Sequence, residues 1–486
     1  MTERTRSHDE SLDPADWDAF AELAHRMLDD SLAYLKTVRE RPVWQRIPEP
    51  VQARLDEPLP REGAGEEAAY AEYAELVAPY ALGNIHPRFW GWVIGTGTPL
   101  GVMAEMLAAT MNNNAAGHRQ SATFVELQVL DWLKGVMGYP REAGGVLLSG
   151  GSIANQVGLA VARNAKAPFD VREKGLSGGP RLMFYTSSES HNSVQRAVEL
   201  LGLGAESLAA IPVRDDFTID VVALETRIAE DREAGRVPCC VSANAGTVNT
   251  GAIDPLAALA DLCEREDLWL HVDGAFGALG VLDAETRPKL AGLERADSIA
   301  FDLHKWMYLP YDVACTLVRS REAHTATFAA HADYLAHTEG GISTGPLIWA
   351  DYAPQLSRAF RALKVWMNLK AYGLDRFAAA ITRNIGQARY LAGLVEKAPD
   401  LELLAPVPLN VVNFRYLDRT LPPEALDDLN ARILAELQER GIAAPSSTII
   451  NGRLALRVAN VNHRSRQDDF DALVDAVVDL GRELSR

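Results

Sequence analysis

Cysteine is scarce, with four in 486 residues, and Cys239, Cys240, Cys263 and Cys315 show no metal-ligand spacing. That excludes a disulfide framework and a zinc module, so the four read as reduced core residues and no metal is expected. Positive charge is also in short supply. Lys and Arg number 48 against 66 Asp and Glu, a formal net charge of -18, which argues against nucleic acid or an anionic membrane as partner. No apolar run reaches the roughly 20 residues of a membrane-spanning helix. The first residues mix Arg, His, Asp and Glu where a secretory signal would be apolar, so the expected location is cytoplasmic. Repeats and low-complexity tracts are missing too, which excludes solenoids and long linkers.

What remains is a globular composition, 48% hydrophobic and 23% charged, with enough apolar material for a large core. The chain is too long for one compact layer, and a large domain flanked by smaller pieces is expected. After a polar start to about Leu12, Asp13-Pro14 predicts a helix beginning, with Trp17, Phe20, Leu23, Ala24, Met27, Leu28, Leu32 and Leu35 along one stripe. Such a stripe needs a covering surface, either another subunit or the chain's own large domain. From roughly Leu100 to Leu369, strand-like apolar runs alternate with helical patterns, the signature of a mainly parallel sheet covered on both faces. Beyond Leu369 come a long amphipathic helix near Leu374 to Val395, a strand near Leu409 to Arg415 and a helix from Pro422 to Arg440. An Asn451-Gly452 hairpin and a final helix after Arg466 complete a small α+β unit.

Chemistry concentrates where strands end. Leu268 to Val272 reads as a buried parallel strand that delivers Asp273 at its carboxyl end, where open α/β sheets place ligands. Ser298 to Phe301 is another short strand, with His304 and Lys305 just past it. A lysine amine that can hold an aldehyde as a Schiff base, with an acid that can keep a pyridine nitrogen protonated, is what pyridoxal phosphate requires. Taken singly, the lysine suits a solvated loop and the aspartate a helix cap; together they point to the cofactor. Gly144 to Leu148 reads as a strand leading through Ser149, Gly150, Gly151 and Ser152 into a helical run. Glycines allow close approach of an anion and the helix start offers unpaired N–H groups, although the same run also serves as a plain turn and cap. His191, after the strand Leu182 to Thr186, suits stacking on a ring or capping the next helix. Thr247, after Cys240 to Ala243, suits a ring substituent or an ordinary turn.

The ordered set Gly150-Gly151-Ser152, His191, Gly246-Thr247, His271-Val272-Asp273 and His304-Lys305-Trp306 resembles the pyridoxal-phosphate-dependent group II amino acid decarboxylases, which include aromatic amino acid and glutamate decarboxylases. Arg41-Pro42-Val43, His86-Pro87-Arg88-Phe89, Glu126-Leu127 and Asp131-Trp132-Leu133 extend the resemblance over nearly the whole chain. It implies an α/β fold of the type I pyridoxal-phosphate-dependent transferase (aspartate aminotransferase-like) class, with a large, mostly parallel seven-stranded sheet. It further implies an N-terminal helical arm over 1–99 swapped within a homodimer, a large cofactor domain over 100–372, a small α+β domain over 373–486, and an active site near the subunit interface. By the same resemblance Lys305 forms the Schiff base, Asp273 pairs with the pyridinium, and His191 stacks on one ring face with Ala275 on the other. Gly150, Gly151 and Ser152 hold the phosphate, Thr247 faces the ring, and His304 lies beside the Schiff base. Tyr334, in Asp333-Tyr334-Leu335, resembles the tip of the family's mobile loop and would protonate the substrate carbon after carbon dioxide leaves. Glu339 to Thr344, close behind it, reads as flexible, as a lid requires.

Substrate choice is less constrained. Aromatic amino acid decarboxylases carry a Tyr-Phe-Pro-Thr stretch where this chain has Trp92 to Pro99. Trp92, Val93 and Ile94, with His304, are expected to contact substrate, and their apolar character favours an aromatic side chain of the tyrosine or dopa kind over a charged one. Ser357 points the same way by resemblance to plant relatives. Glutamate or aspartate decarboxylation, aldehyde synthesis or other lyase chemistry are the alternatives within the fold. A catalytically inactive binding homologue is the alternative outside it, and Lys305, Asp273, His191 and Tyr334 together argue against it.

Overall fold

The computed structural model describes residues 11–329, 341 and 347–486. Among these residues eleven strands form two sheets. The larger has seven strands: β1 (Gly144–Leu148), β2 (Leu182–Ser187), β3 (Leu208–Ile211), β4 (Val237–Asn244), β5 (Trp269–Asp273), β6 (Ser298–Asp302) and β7 (Ala314–Val318). Their order is β1-β7-β6-β5-β4-β2-β3. Strands β3, β2, β4, β5 and β6 run parallel, whereas β7 is antiparallel to both of its neighbours. Two antiparallel pairings in succession restore direction, so β1 points the same way as β6. This is the expected type I architecture, and β1, β2, β5, β6 and β7 are buried throughout their length, as helices on both faces require.

Register decides what meets at the sheet's carboxyl edge. Ala314 pairs with Leu148 on one side and Asp302 on the other. The turn after β1 and the Lys305 segment after β6 therefore emerge at the same level, one strand apart. A buried ion pair fixes the first of these. The Arg358 guanidinium holds Glu126 at 2.6 and 3.1 Å and donates to the Leu147 and Ala115 carbonyls, while Glu126 accepts from the Leu147 N–H.

The smaller sheet is antiparallel, β10-β11-β9-β8, from β8 (Leu401–Leu403), β9 (Val411–Tyr416), β10 (Ser446–Ile450) and β11 (Arg453–Ala459). Asn451 and Gly452 both have positive φ, 49° and 75°, the tight hairpin turn that the Asn-Gly pair predicts. The helices Leu374–Lys397, Pro423–Glu439 and Gln467–Leu484 cover this sheet.

At the N-terminus the first helix is Trp17–Lys36, with Asp16 as its cap accepting from the Asp18 and Ala19 N–H groups. The start lies later than Asp13-Pro14 implies, because Asp13 is held in a local turn by Ser11. Of the stripe only Leu23 is buried. All four cysteines are buried and unpaired. Among the described residues no helix is long and apolar enough to cross a membrane, and no cluster of three His, Cys, Asp or Glu is placed to hold a metal.

Candidate active site

A cleft of about 380 Å³ opens at the carboxyl edge of the large sheet, lined among others by Ser149, Gly150, Gly151, Ser152, His191 and Lys305. Small-molecule sites run from about 300 to 1,000 Å³. One wall is the start of the helix Gly151–Lys166, capped by Gly150 without a side-chain hydrogen bond. Its first N–H groups remain available to an anion. Glycine at 151 leaves room for the Asp302 carboxylate: a Cβ there would stand 2.7 Å from Asp302 Oδ2 and force it to shift.

The opposite wall is the short helix Leu303–Trp306 after β6. Leu303 and His304 donate through their backbones to the Val313 carbonyl, and His304 Nδ1 accepts from the Val313 N–H. Lys305 Nζ, 22% exposed, lies 2.7 Å from the buried Asp302 Oδ2. Burial holds His304 below its ordinary value, with Asp302 opposing. Tyr311 packs over His304 with ring centroids 4.3 Å apart. Its phenol is pushed up to about 12 by burial, so it stays a neutral donor.

The floor comes from β5 and β2. Asp273 is 5% exposed, one layer beneath the wall residues Asn155 and Ala275. Its Oδ2 accepts from Asn155 Nδ2 at 2.8 Å and its Oδ1 from the Ala275 N–H at 3.0 Å. Burial raises Asp273; the Ala275 N–H, the Lys305 charge, His191 and Asn155 all oppose that rise. His191 caps the helix Asn192–Leu200, its Nδ1 accepting from the Ser193 N–H and contacting Ser193 Oγ at 2.8 Å. Desolvation lowers it, leaving a flat neutral ring for stacking. These residues fit pyridoxal phosphate: a cradle of free N–H groups, an amine and an imidazole line one cleft, and a buried carboxylate with unused lone pairs lies behind its Asn155 and Ala275 wall.

Other expected residues lie elsewhere. Thr247 is buried in a turn, its hydroxyl bonded to Thr250 Oγ1 and the Ala252 N–H, and does not line the cleft. Trp92 is 57% exposed, its backbone held by Ser446 and Arg457. Val93 is buried in the main core and Ile94 packs against Val43, Phe89 and Ala444. None of the three lines the cleft, although Gly95 presses on the His304 carbonyl. Ser357 is exposed before the buried Arg358. Tyr334, Glu339 and the expected flexible stretch, apart from Gly341, lie outside the described residues. Sequence reasoning missed Ser149, Ile153, Asn155, Ser193, Asp302 and Tyr311 as site residues. Asn155 alone carried a signal, a polar residue within the apolar run of its helix.

The chain matches the model of the pyridoxal-dependent decarboxylase conserved domain over residues 48–417. It is 33% identical over 468 residues to an aromatic-L-amino-acid decarboxylase of Bacillus atrophaeus, with 96% of each chain covered. An L-2,4-diaminobutyrate decarboxylase of Rhizobium meliloti (strain 1021) is also 33% identical, over 88% of this chain and 84% of that one. The crystal structure of Oryza sativa TDC with PLP and tryptamine superposes with a TM-score of 0.89 at 26% identity, covering 98% of this chain and 100% of that one.

Proposed function

The chain belongs to the pyridoxal-dependent decarboxylase family, carboxy-lyases that use pyridoxal phosphate to remove carbon dioxide from an amino acid, and we propose that its own substrate is an aromatic L-amino acid of the tyrosine or dopa kind. The observation that carries this reading is the pair of packed rings, His304 and Tyr311, tilted by 36° with centroids 4.3 Å apart and lining the cleft beside Lys305. They offer a flat surface to an aromatic side chain. The two carboxylates nearest the cleft, Asp273 and Asp302, are engaged by Asn155 and Lys305, which disfavours a diaminobutyrate side chain, whose ammonium would need an acid of its own.

Bound pyridoxal phosphate supplies the electron sink that accepts charge from the substrate's α-carbon as carbon dioxide departs. The chain's residues do the rest. Lys305, whose amine lines the cleft, would hold the cofactor's aldehyde. Gly150, Gly151 and Ser152 bind the phosphate with the helix N–H groups. Asp273 would hold the pyridine nitrogen in its protonated form, and His191 and Ala275, which line the cleft, would hold the ring. His304, neutral and donating through Nε2, orients the substrate carboxylate. Tyr334 returns a proton to the α-carbon, the step that separates amine formation from aldehyde formation.

The working unit is a homodimer. Trp17 and Leu32 on the first helix, with Met106, Leu107, Met111 and Phe124, are exposed on the single chain, and a second copy would cover them. Sedimentation equilibrium should give twice the chain mass; a monomer at micromolar concentration would refute this.

The substrate test is to load the protein with pyridoxal phosphate, record the visible band, and measure carbon dioxide from tyrosine, dopa, tryptophan, phenylalanine, 2,4-diaminobutyrate, glutamate and aspartate. Release from one of the aromatic acids is expected. Release from 2,4-diaminobutyrate alone would transfer the assignment to that substrate.

A further inference from the structure

Behind Asp273 lies a row of polar side chains that the reaction as described does not use. Trp269, His271, Asn155 and Ser298 are 5%, 0%, 1% and 0% exposed. Trp269 Nε1 meets Ser298 Oγ at 2.8 Å, Ser298 Oγ meets His271 Nδ1 at 2.8 Å, and His271 Nε2 meets Asn155 Oδ1 at 2.9 Å. Asn155 Nδ2 then reaches Asp273 Oδ2 at 2.8 Å and Ser193 Oγ at 3.1 Å, and Ser193 Oγ meets His191 Nδ1 at 2.8 Å. Gly158, one turn beyond Asn155, admits the imidazole: a Cβ there would stand 2.6 Å from His271 Cε1.

With Asp273 ionised, one arrangement of protons satisfies this row; the reverse arrangement requires a protonated Asp273. The carboxylate can only accept, so Asn155 turns its Nδ2 toward it and its Oδ1 toward His271 Nε2, and the Ser298 hydroxyl, accepting from the indole N–H, donates to His271 Nδ1. A neutral His271 then carries its hydrogen on Nε2 and donates to Asn155 Oδ1. The amide is thereby turned with its NH2 toward Asp273, a carboxylate that can only accept, and toward Ser193, which passes a proton to His191 Nδ1. The acceptor-only carboxylate sets this direction, and the donor-only indole at the other end is compatible with it.

We propose that Trp269, Ser298, His271 and Asn155 form a directional relay of positioning residues that keeps Asp273 ionised in its buried site, and so keeps the pyridine nitrogen of bound cofactor protonated. The inference rests on the reading of Asp273 as the partner of that nitrogen. Burial works against a carboxylate, and a hydrogen bond donated to the charged form offsets it. Burial also lowers His271 to about 3, so the ring does not charge near neutrality and reverse the row. The same amide fixes His191 through Ser193, so one residue sets both the charge under the ring and the imidazole above it.

Two measurements on the full-length holoenzyme test this. The first is the tautomer of His271, read from side-chain nitrogen shifts in ¹⁵N-histidine-labelled protein and assigned by loss of the signal in His271→Gln. A neutral ring protonated at Nε2 is expected, and protonation at Nδ1 would overturn the proposal even if no other variant folds. The second is the nitrogen shift and affinity of ¹⁵N-labelled pyridoxal phosphate in Asn155→Asp, which keeps the shape but replaces the donor with an acceptor. The pyridine nitrogen should lose its proton and cofactor affinity should fall by about 10- to 100-fold, the scale of one hydrogen bond to a charged group. A protonated nitrogen with unchanged affinity would overturn the relay. Asp273→Asn separates the two levels: if it too leaves the nitrogen protonated, the reading of Asp273 fails, whereas if it alone removes the proton, only the relay fails.

Discussion

Lys305 and Asp302 show how much one contact at this site must do. The ammonium is held 2.7 Å from a carboxylate that is 1% exposed, and among the described residues no other side chain donates to that carboxylate. Lys305→Ala therefore removes the proposed anchor and strips Asp302 of its counter-charge. Turnover should fall to background and the visible cofactor band should vanish from the absorbance spectrum; full activity would contradict the assignment. Tyr334→Phe should slow amine formation by about 10²- to 10⁴-fold, the usual worth of a positioned proton donor, or divert product to aldehyde and ammonia, as quantified by chromatography. Lys305, Asp273 and His191 were legible in the sequence as polar residues at or just past the end of an apolar strand. Asp302 and Tyr311 were not, and Asn155 showed only as a polar residue in an apolar helical run. Asn155 meets Asp273 from far along the chain, whereas Asp302 and Tyr311 lie near Lys305 and His304 in sequence but meet them only through the way the chain turns after β6.

Among elements, the turn after β1 and its helix matter most. Gly151 stands where a Cβ would meet Asp302 Oδ2 at 2.7 Å and its Cγ at 3.3 Å, so Gly151→Ala must displace the carboxylate that holds Lys305. Overpacking of this kind costs about 1–3 kcal/mol. Here the loss should appear as a cofactor dissociation constant raised about tenfold or more, measured by titrating cofactor-free protein; an unchanged constant would show that the cradle has room. The ion pair behind this turn belongs to stability. Arg358 and Glu126 have side chains 0% and 1% exposed, and neutralising one member of a buried pair strands the other, at about 3–5 kcal/mol. Glu126→Gln should accordingly lower the urea midpoint while the cofactor band is retained. Strands β1, β2, β4, β5 and β6 were readable from their apolar runs, and all but β4 lead into residues at the cleft. Strand β7, Ala-Cys-Thr-Leu-Val, was not singled out, since a five-residue run with a threonine at its centre has neither alternation nor a chemical landmark. The hairpin at Asn451-Gly452 was readable because its turn chemistry is local, whereas the helix start at Asp16 depended on which of two nearby aspartates was free to cap.

For the whole molecule, the parallel layer was legible and the strand order was not, because the pairing of Leu148 and Asp302 with the same Ala314 is a tertiary choice no periodicity encodes. That compact arrangement buries His86, His271 and His324, at 1%, 0% and 0% exposure, and burial lowers them from 6.5 to about 4, about 3 and about 4. Above pH 6.5 neither the folded nor the unfolded chain protonates these rings, and their contribution to stability is constant. Below it the unfolded chain takes up protons that the folded rings refuse, so stability falls as pH drops. Each ring contributes about 1.4 kcal/mol per pH unit to that fall, and the loss levels off only as pH passes the folded values near 4 and 3. Asp254 and Asp297, raised by burial, act with the opposite sign, becoming less costly as they protonate. Urea unfolding at pH 7.5, 6.5, 5.5 and 4.5 should give midpoints that are level between the first two and decline steeply through the rest. His324→Gln retains a donor toward the Tyr352 carbonyl that His324 Nε2 contacts at 2.8 Å, so it should flatten the decline by one ring's share. A midpoint that held steady down to pH 4.5 would mean that these histidines are charged, or reach water, in the folded protein.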